Sequence, residues 1–151
     1  MKKKPLEYAL YLLELRDRTE GEIREKMKRK EYEPEEIEKA VGFLKDKDFI
    51  NDERFVKNYI QNKQSFGTAG RYKIRQKLML LHLDNALIEE NLAETDPEAE
   101  YERALEMTKD WLARHQIPRE KMYEKVGRHL VSQGYEYDVV KKVLDSIIHN
   151  S

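Results

Sequence analysis

One set of apolar residues recurs three times along this chain, and that recurrence constrains the fold more than any other feature. Ile23, Met27, Tyr32, Ile37, Val41 and Leu44 form the first series. A shift of about 51 positions gives Ile74, Leu78, Leu83, Ile88, Leu92 and Thr95, and a further shift of nearly the same size gives Val126, Leu130, Tyr135, Val140, Leu144 and Ile147. Self-similarity at a fixed long period marks a repeat architecture, in which one unit buries too little apolar surface to stand alone and neighbours stack. The period is too long for the two-helix TPR type, while HEAT-like stacking stays open.

Within each series the spacing is helical. Leu6, Ala9, Leu10 and Leu13 follow i, i+3, i+4, i+7, as do Ile37, Ala40, Val41 and Leu44; Tyr101, Ala104, Leu105, Thr108, Trp111 and Leu112 line one face over three turns. No segment alternates as a strand would. Thr19 and Glu22 make a capping box, Pro34 suits a first helical turn, and Asn51 or Asp52 can cap the helix of Phe55 and Val56. The run Ser65-Phe66-Gly67-Thr68-Ala69-Gly70 predicts a break, Asp96-Pro97 a helix start, Gly134 a helix end, and Asp138 a cap for the last helix. Ile117-Pro118 is a weaker entry signal. The fold class predicted is all-α: three tandem three-helix units, 1–50, 51–95 and 96–151, in an elongated, curved molecule. Each unit has a leading helix, a short second helix, a connection holding one large apolar plug (Tyr32, Leu83 or Tyr135), and a third helix.

Composition fits thin, well-solvated layers: 39% of the 151 residues are charged and 39% hydrophobic, with six glycines and four prolines, and mean hydropathy is -0.91. The absence of cysteine excludes disulfides and cysteine zinc sites. Glu7 interrupts the amphipathic segment after the basic Met1-Lys2-Lys3-Lys4, which excludes a secretory signal, and no apolar run is long enough to span a bilayer. A cytoplasmic protein with no membrane association is expected.

The net charge of -1 conceals a segregation. Positions 55–83 carry no acid but hold Lys57, Lys63, Arg71, Lys73, Arg75 and Lys77. Positions 84–106 hold nine acids against Arg103 alone. Such blocks create local fields that the total hides. His82, His115, His129 and His149 have no second ligand at i+3 or i+4, so no metal is expected. Gly67-Thr68-Ala69-Gly70-Arg71 lacks the Lys-Ser/Thr ending of a phosphate loop and reads as a turn into a helix. No carboxylate pair stands out for acid–base work; neither an enzyme nor a cofactor is expected. Trp111 reads as core, Tyr135-Glu136-Tyr137-Asp138 as structural.

The basic helix, 70–81, is the better signal. With Ile74, Leu78 and Leu81 as its buried stripe, Arg71 and Arg75 flank one side, Lys73 and Lys77 the other, and Tyr72 faces outward. Such a helix can hold phosphates or an acidic protein surface. The competing reading is that its cations pair with the acidic block and only solubilise the helix, and that Tyr72 packs on another unit.

The motifs Ala9-Leu10-Tyr11-Leu12-Leu13, Thr19-Glu20-Gly21-Glu22-Ile23-Arg24, Asp52-Glu53-Arg54-Phe55, Gly70-Arg71-Tyr72-Lys73-Ile74-Arg75-Gln76-Lys77-Leu78 and Gly134-Tyr135-Glu136-Tyr137-Asp138-Val139-Val140 stand in this order along nearly the whole chain. In that arrangement the chain resembles the RecX family of recombination regulators. It departs from the family where Arg71 replaces a frequent Pro, His82 a Gly before the second plug, and Lys77 a frequent acid.

The resemblance implies tandem three-helix units forming a curved, elongated protein, and a monomer is expected. It also implies a role: binding the RecA–single-stranded DNA filament along its groove and inhibiting ATP hydrolysis, strand exchange and filament extension. Arg71, Tyr72, Lys73, Arg75 and Lys77 are the first candidate contacts, and Arg16, Arg18 and Arg24 the second. Two alternatives stay open on the residues alone: a helical module that binds DNA directly, with Tyr72 stacking on a base, and a generic helical scaffold for peptides.

Overall fold

A computed structural model describes residues 2–149, which form nine α-helices and no strand. They are α1 (Pro5–Leu15), α2 (Glu20–Arg29), α3 (Pro34–Asp46), α4 (Asp52–Phe66), α5 (Arg71–Leu80), α6 (Asn85–Ala93), α7 (Pro97–Arg114), α8 (Arg119–Ser132) and α9 (Tyr137–His149). The all-helical expectation and the helical repeat hold. The chain divides into two compact units: one is the chain up to Tyr59 with Leu78–Ile88, the other Ile60–Lys77 with the chain from Glu89 onward.

In the first unit, Ala9 and Leu12 of α1 close on Ile23 and Met27 of α2 and on Ile37, Ala40, Val41 and Leu44 of α3. In the second, Ala104 of α7 packs with Val126 and Leu130 of α8 and with Val140, Val143 and Leu144 of α9. The i, i+3, i+4 apolar stripes are therefore the buried faces. The three plugs are all buried: Tyr32, Leu83 and Tyr135 are each at most 8% exposed. Each follows a residue with left-handed backbone: Glu31 (φ 65°), His82 (φ 61°) and Gly134 (φ 89°). That conformation reverses the chain at the helix end and points the next side chain back into the core. Tyr32 N–H donates to Met27 O (3.2 Å) and Tyr135 N–H to Leu130 O (3.1 Å), the 6→1 bond of a Schellman cap. Tyr135 spends its hydroxyl on Thr68 O (2.9 Å), and burial pushes its pKa up to about 12.

Most helix starts follow the expected chemistry. Thr19 and Glu22 form a reciprocal capping box, Pro34 opens α3, and Asp96 caps α7 ahead of Pro97. Asn51 caps α4 by accepting from Arg54 N–H (3.0 Å), which leaves the Asp52 carboxylate to accept from the first amide of α2, Glu20 N–H (2.9 Å). Two expectations need correction. Ser65 and Phe66 are still helical, so the break spans only residues 67–70, because nothing in Ser-Phe itself ends a helix. Asp138 lies inside the first turn of α9 and does not cap it; the first bond of that helix runs from Val140 N–H to Glu136 O (3.0 Å). The weak entry signal at Ile117-Pro118 matches a helix start with no side-chain cap: Pro118 precedes α8.

A joint recurs in the same register as the apolar series. In the first unit, Thr19 Oγ1 donates to Leu81 O (2.6 Å), and Gly21 lies so close to His82 that an added Cβ would stand 2.4 Å from the histidine Cβ. In the second, Gly70 N–H donates to Gln133 O (2.8 Å) and Tyr72 N–H to Gly134 O (2.9 Å). There a Cβ on Gly70 would stand 2.6 Å from Gly134 C. The start of α2 thus abuts the end of α5, and the start of α5 abuts the end of α8.

Candidate interaction surface on the basic helix

Arg71 is the first residue of α5. Its amide donates to Glu100 Oε1 (2.6 Å), and its guanidinium donates to Thr95 Oγ1 (2.5 Å) and Thr95 O (3.3 Å). The Arg71 side chain is 20% exposed and that of Glu100 6%. This arrangement explains why threonine stands in the last position of the second apolar series where leucine and isoleucine stand in the others. Thr95 Oγ1 accepts from Arg71 and donates to Leu92 O (2.6 Å), so the position serves a polar network and not the core. Glu100 was hidden in the acidic block; its place in the apolar face of α7 was the only signal that it turns inward.

Arg75 is also engaged. Its guanidinium pairs with Glu89 of α6 (2.5 Å) and with Glu136 (3.6 Å), at 22% side-chain exposure. The hydrogen bond to Glu89 raises the pKa of Arg75 further above its ordinary value. In the first unit Arg24 of α2 does the same, gripping Glu38 of α3 through two bonds (2.9 and 3.1 Å) and reaching Glu20 at 3.3 Å. The hydrogen bond from Arg24 holds the Glu38 carboxyl below the usual carboxylate range. Arg24 with Glu38 and Arg75 with Glu89 stand in the same register of about 51 residues, so this clamp belongs to the repeat. In the third series the two positions are Gly127 and Lys141, which cannot form it.

The remaining candidates behave differently. Tyr72 is 53% exposed. Lys77 is exposed and Lys73 half-buried, and neither makes an ion pair among the described residues. Arg16 pairs with the buried Glu22 (2.5 Å) and also donates to Asp17 O (2.8 Å). Arg18 makes only a long bond to Leu12 O (3.4 Å). The eight candidates are thus of two kinds. Arg71, Arg75, Arg24 and Arg16 hold helices and caps together, Arg71 and Arg75 through the acidic block as the pairing reading expected. Tyr72, Lys73, Lys77 and Arg18 keep most of their polar capacity. The two groups of candidates, on α5 and around α2, belong to different compact units.

Two charged grooves extend beyond these candidates. Arg16, Arg18, Lys26 and Arg29 line a groove of about 240 Å³ together with Glu22, Glu25 and His82. His82 contacts the Glu25 carboxylate there. The second region lies between the end of α7 and α8, where Trp111, Arg114, His115, Lys125, Arg128 and His129 line a groove of about 720 Å³. Its signal was present: between positions 111 and 134 five Lys and Arg outnumber two acids, directly after the acidic block. Trp111, read as core, is only half-buried and stacks on His129 (centroids 4.4 Å apart) and His115 (4.9 Å). No group of three metal-ligating side chains occurs among the described residues, and no helix there is long and apolar enough to cross a membrane.

Comparison with known proteins accounts for this architecture. Residues 6–44 match the first three-helix domain of RecX, and residues 51–92 the second. The chain is 32% identical over 146 residues to a regulatory protein RecX of Clostridium botulinum, covering 95% of this chain and 68% of that protein. It is 28% identical over 142 residues to a regulatory protein RecX of Clostridioides difficile, covering 93% of this chain and 66% of that one. The chain therefore spans about two-thirds of the length of these relatives. The crystal structure of RecX from Lactobacillus salivarius superposes with a TM-score of 0.85 at 21% identity, covering 98% of this chain and 96% of that one. A second crystal structure of a regulatory protein RecX gives 0.84 at 24% identity over 94% of this chain and 72% of that one. These two likenesses concern the fold. With two family domains matched in order over more than half its residues, the chain belongs to the RecX family of regulatory proteins.

Proposed function

We propose that this chain binds the RecA–single-stranded DNA filament in the cytoplasm, as a monomer lying along the filament groove, and thereby inhibits ATP hydrolysis, strand exchange and filament extension. It does so without catalysing a reaction of its own. Family membership supports the regulatory role. The observation that carries the choice of surface is the division of labour on α5: Arg71 and Arg75 are committed to Thr95, Glu100, Glu89 and Glu136, while Tyr72, Lys73 and Lys77 are not. We assign Tyr72, Lys73 and Lys77 as filament contacts. Arg71 and Arg75 position the helix that carries them, and Arg18 is a secondary contact on the other compact unit.

The test is RecA ATPase on single-stranded DNA titrated with the protein. Hydrolysis falls with added protein; unchanged hydrolysis at saturation rejects the reading. A second reading, direct binding of DNA, is favoured by the exposure of Tyr72 beside two lysines. It predicts binding to naked single strands that weakens with salt, with a logarithmic slope of about -0.7 per phosphate contacted. A flat salt response removes it.

A further inference from the structure

The groove between α7 and α8 has the chemistry of a ligand site that the filament reading does not use. Its rim carries Arg114 at the end of α7 with Lys125 and Arg128 on α8, and no carboxylate lines it. The groove beside α2 offers a contrast. There Arg16 pairs with Glu22 and Arg29 with Glu25, so two of its four cations are neutralised by acids that line the same groove. Around the α7–α8 groove, Arg114 and Lys125 make no ion pair among the described residues. Arg128 pairs only with Glu124 on its own helix (2.7 Å), with both side chains about two-thirds or more exposed. Exposed pairs of this kind are weak and exchange readily for a better anion. Three cations are therefore held at an acid-free concave surface.

The wall of the groove is aromatic and planar. His129 lies nearly parallel to Trp111, at 9°, and His115 covers the same indole at 28°. His115 Nδ1 lies 2.9 Å from Trp111 O. A carbonyl can only accept, so Nδ1 carries the proton in this contact. His115 is exposed and extends the stack to the groove surface. A planar π-surface beside clustered cations suits a ligand that carries a heteroaromatic ring and phosphate on one frame. An acidic peptide uses the cations but has no ring for the stack. A volume of about 720 Å³ lies in the range of small-molecule sites.

We propose that this groove binds a nucleotide, with its phosphates on Arg114, Lys125 and Arg128 and its base against the exposed imidazole of His115. The nucleotide is either a free nucleoside triphosphate or one residue of a single strand. Trp111 is the only tryptophan, so it reports on this groove alone. The experiment excites Trp111 and reads sensitised emission from N-methylanthraniloyl-ATP. In parallel, Trp111 quenching is read on adding a 12-residue deoxythymidine oligonucleotide.

Saturable energy transfer that unlabelled ATP displaces identifies the free nucleotide as ligand; saturable quenching by the oligonucleotide alone identifies the strand. Either is expected to weaken at least tenfold in Arg114→Gln/Lys125→Gln/Arg128→Gln. It should persist in the charge-matched control Lys28→Gln/Lys30→Gln/Lys39→Gln, whose lysines lie in the other compact unit. Far-UV circular dichroism establishes that both variants are folded. Neither signal, equal signals in the two triple variants, or equal displacement by oligo-glutamate each overturns the proposal. RecA is absent from the assay, so its failure leaves the filament reading standing.

Discussion

Replacing Gly134 by alanine tests the joint and the left-handed cap together. Gly134 has φ +89°, and a Cβ there would stand 2.2 Å from Lys73 Cβ and 2.5 Å from Lys73 N. Holding an L-residue in the left-handed region costs about 1–2 kcal/mol. Overpacking adds about 1–3 kcal/mol where the opposing atoms are backbone and cannot swing away. Relief of that clash must also lengthen the bond from Tyr72 N–H to Gly134 O, now 2.9 Å. The expected loss is about 3–5 kcal/mol, a large share of a typical domain's 5–15 kcal/mol. The comparison is His82→Gly at the equivalent cap, where φ is 61° on a residue that is not glycine. That change removes left-handed strain of about 1–2 kcal/mol and loses a partly exposed contact with Glu25 that contributes less than about 1 kcal/mol. The expected net effect is a stabilisation of about 0–1 kcal/mol. Urea unfolding followed by Trp111 fluorescence reads the unit that holds Gly134, and circular dichroism reads the helices of both. If Gly134→Ala unfolds within about 1 kcal/mol of wild type, or His82→Gly is as damaging, the repeat-cap reasoning is wrong.

Lys73→Gln/Lys77→Gln should raise the protein concentration needed for half-inhibition of RecA ATPase by about tenfold, at about 0.5–1 kcal/mol per exposed contact, with melting unchanged. Arg75→Gln should do the reverse, lowering thermal stability by about 1 kcal/mol while affecting inhibition only through the loss of folded protein. Thr19→Val removes a cap and the bond to Leu81 O from a fully buried site, and a loss of about 1–3 kcal/mol is expected in urea unfolding. Burial, assisted by the nearby His115, lowers the pKa of His129 below its ordinary 6.5. A depressed histidine stabilises the fold above the unfolded pKa, and that contribution is lost as pH falls through the folded one. Stability read by Trp111 should therefore decline on acidification from about pH 7 toward pH 5, and His129→Phe should flatten that decline; a profile unchanged by the substitution would refute the assignment.

Much of the fold was legible because it rests on local rules. The apolar register located the stripes, Thr19 with Glu22 and Asp96 with Pro97 located helix starts, and the plug positions followed from the repeat. Asp138 misled because a cap and a first-turn acid look alike in sequence. Ser65 and Phe66 misled because breakers nearby were allowed to extend their influence backward. The candidate surface was legible only as a list of cations. Whether Arg75 faces solvent or Glu89 depends on a residue 14 positions away on another helix, and Arg71 depends on Glu100, 29 positions away. The 51-residue register of Arg24 with Glu38 and Arg75 with Glu89 was open to reading, but only by searching the repeat for charge as well as for apolar residues.

The joints impose an order on folding. Thr19 waits on Leu81, Thr68 on Gln133 and Tyr135, across separations of 62, 65 and 67 residues. Contacts that distant close late, because the entropy of a long loop must be overcome before they contribute. A leading helix can nucleate early, but its first turn stays open until the chain some sixty residues downstream has made its own cap. Completion therefore runs backward along the polypeptide. Shortening the chain to residue 130 should fray the start of α5, far from the cut, and the exchange of the Gly70 and Tyr72 amides would show it.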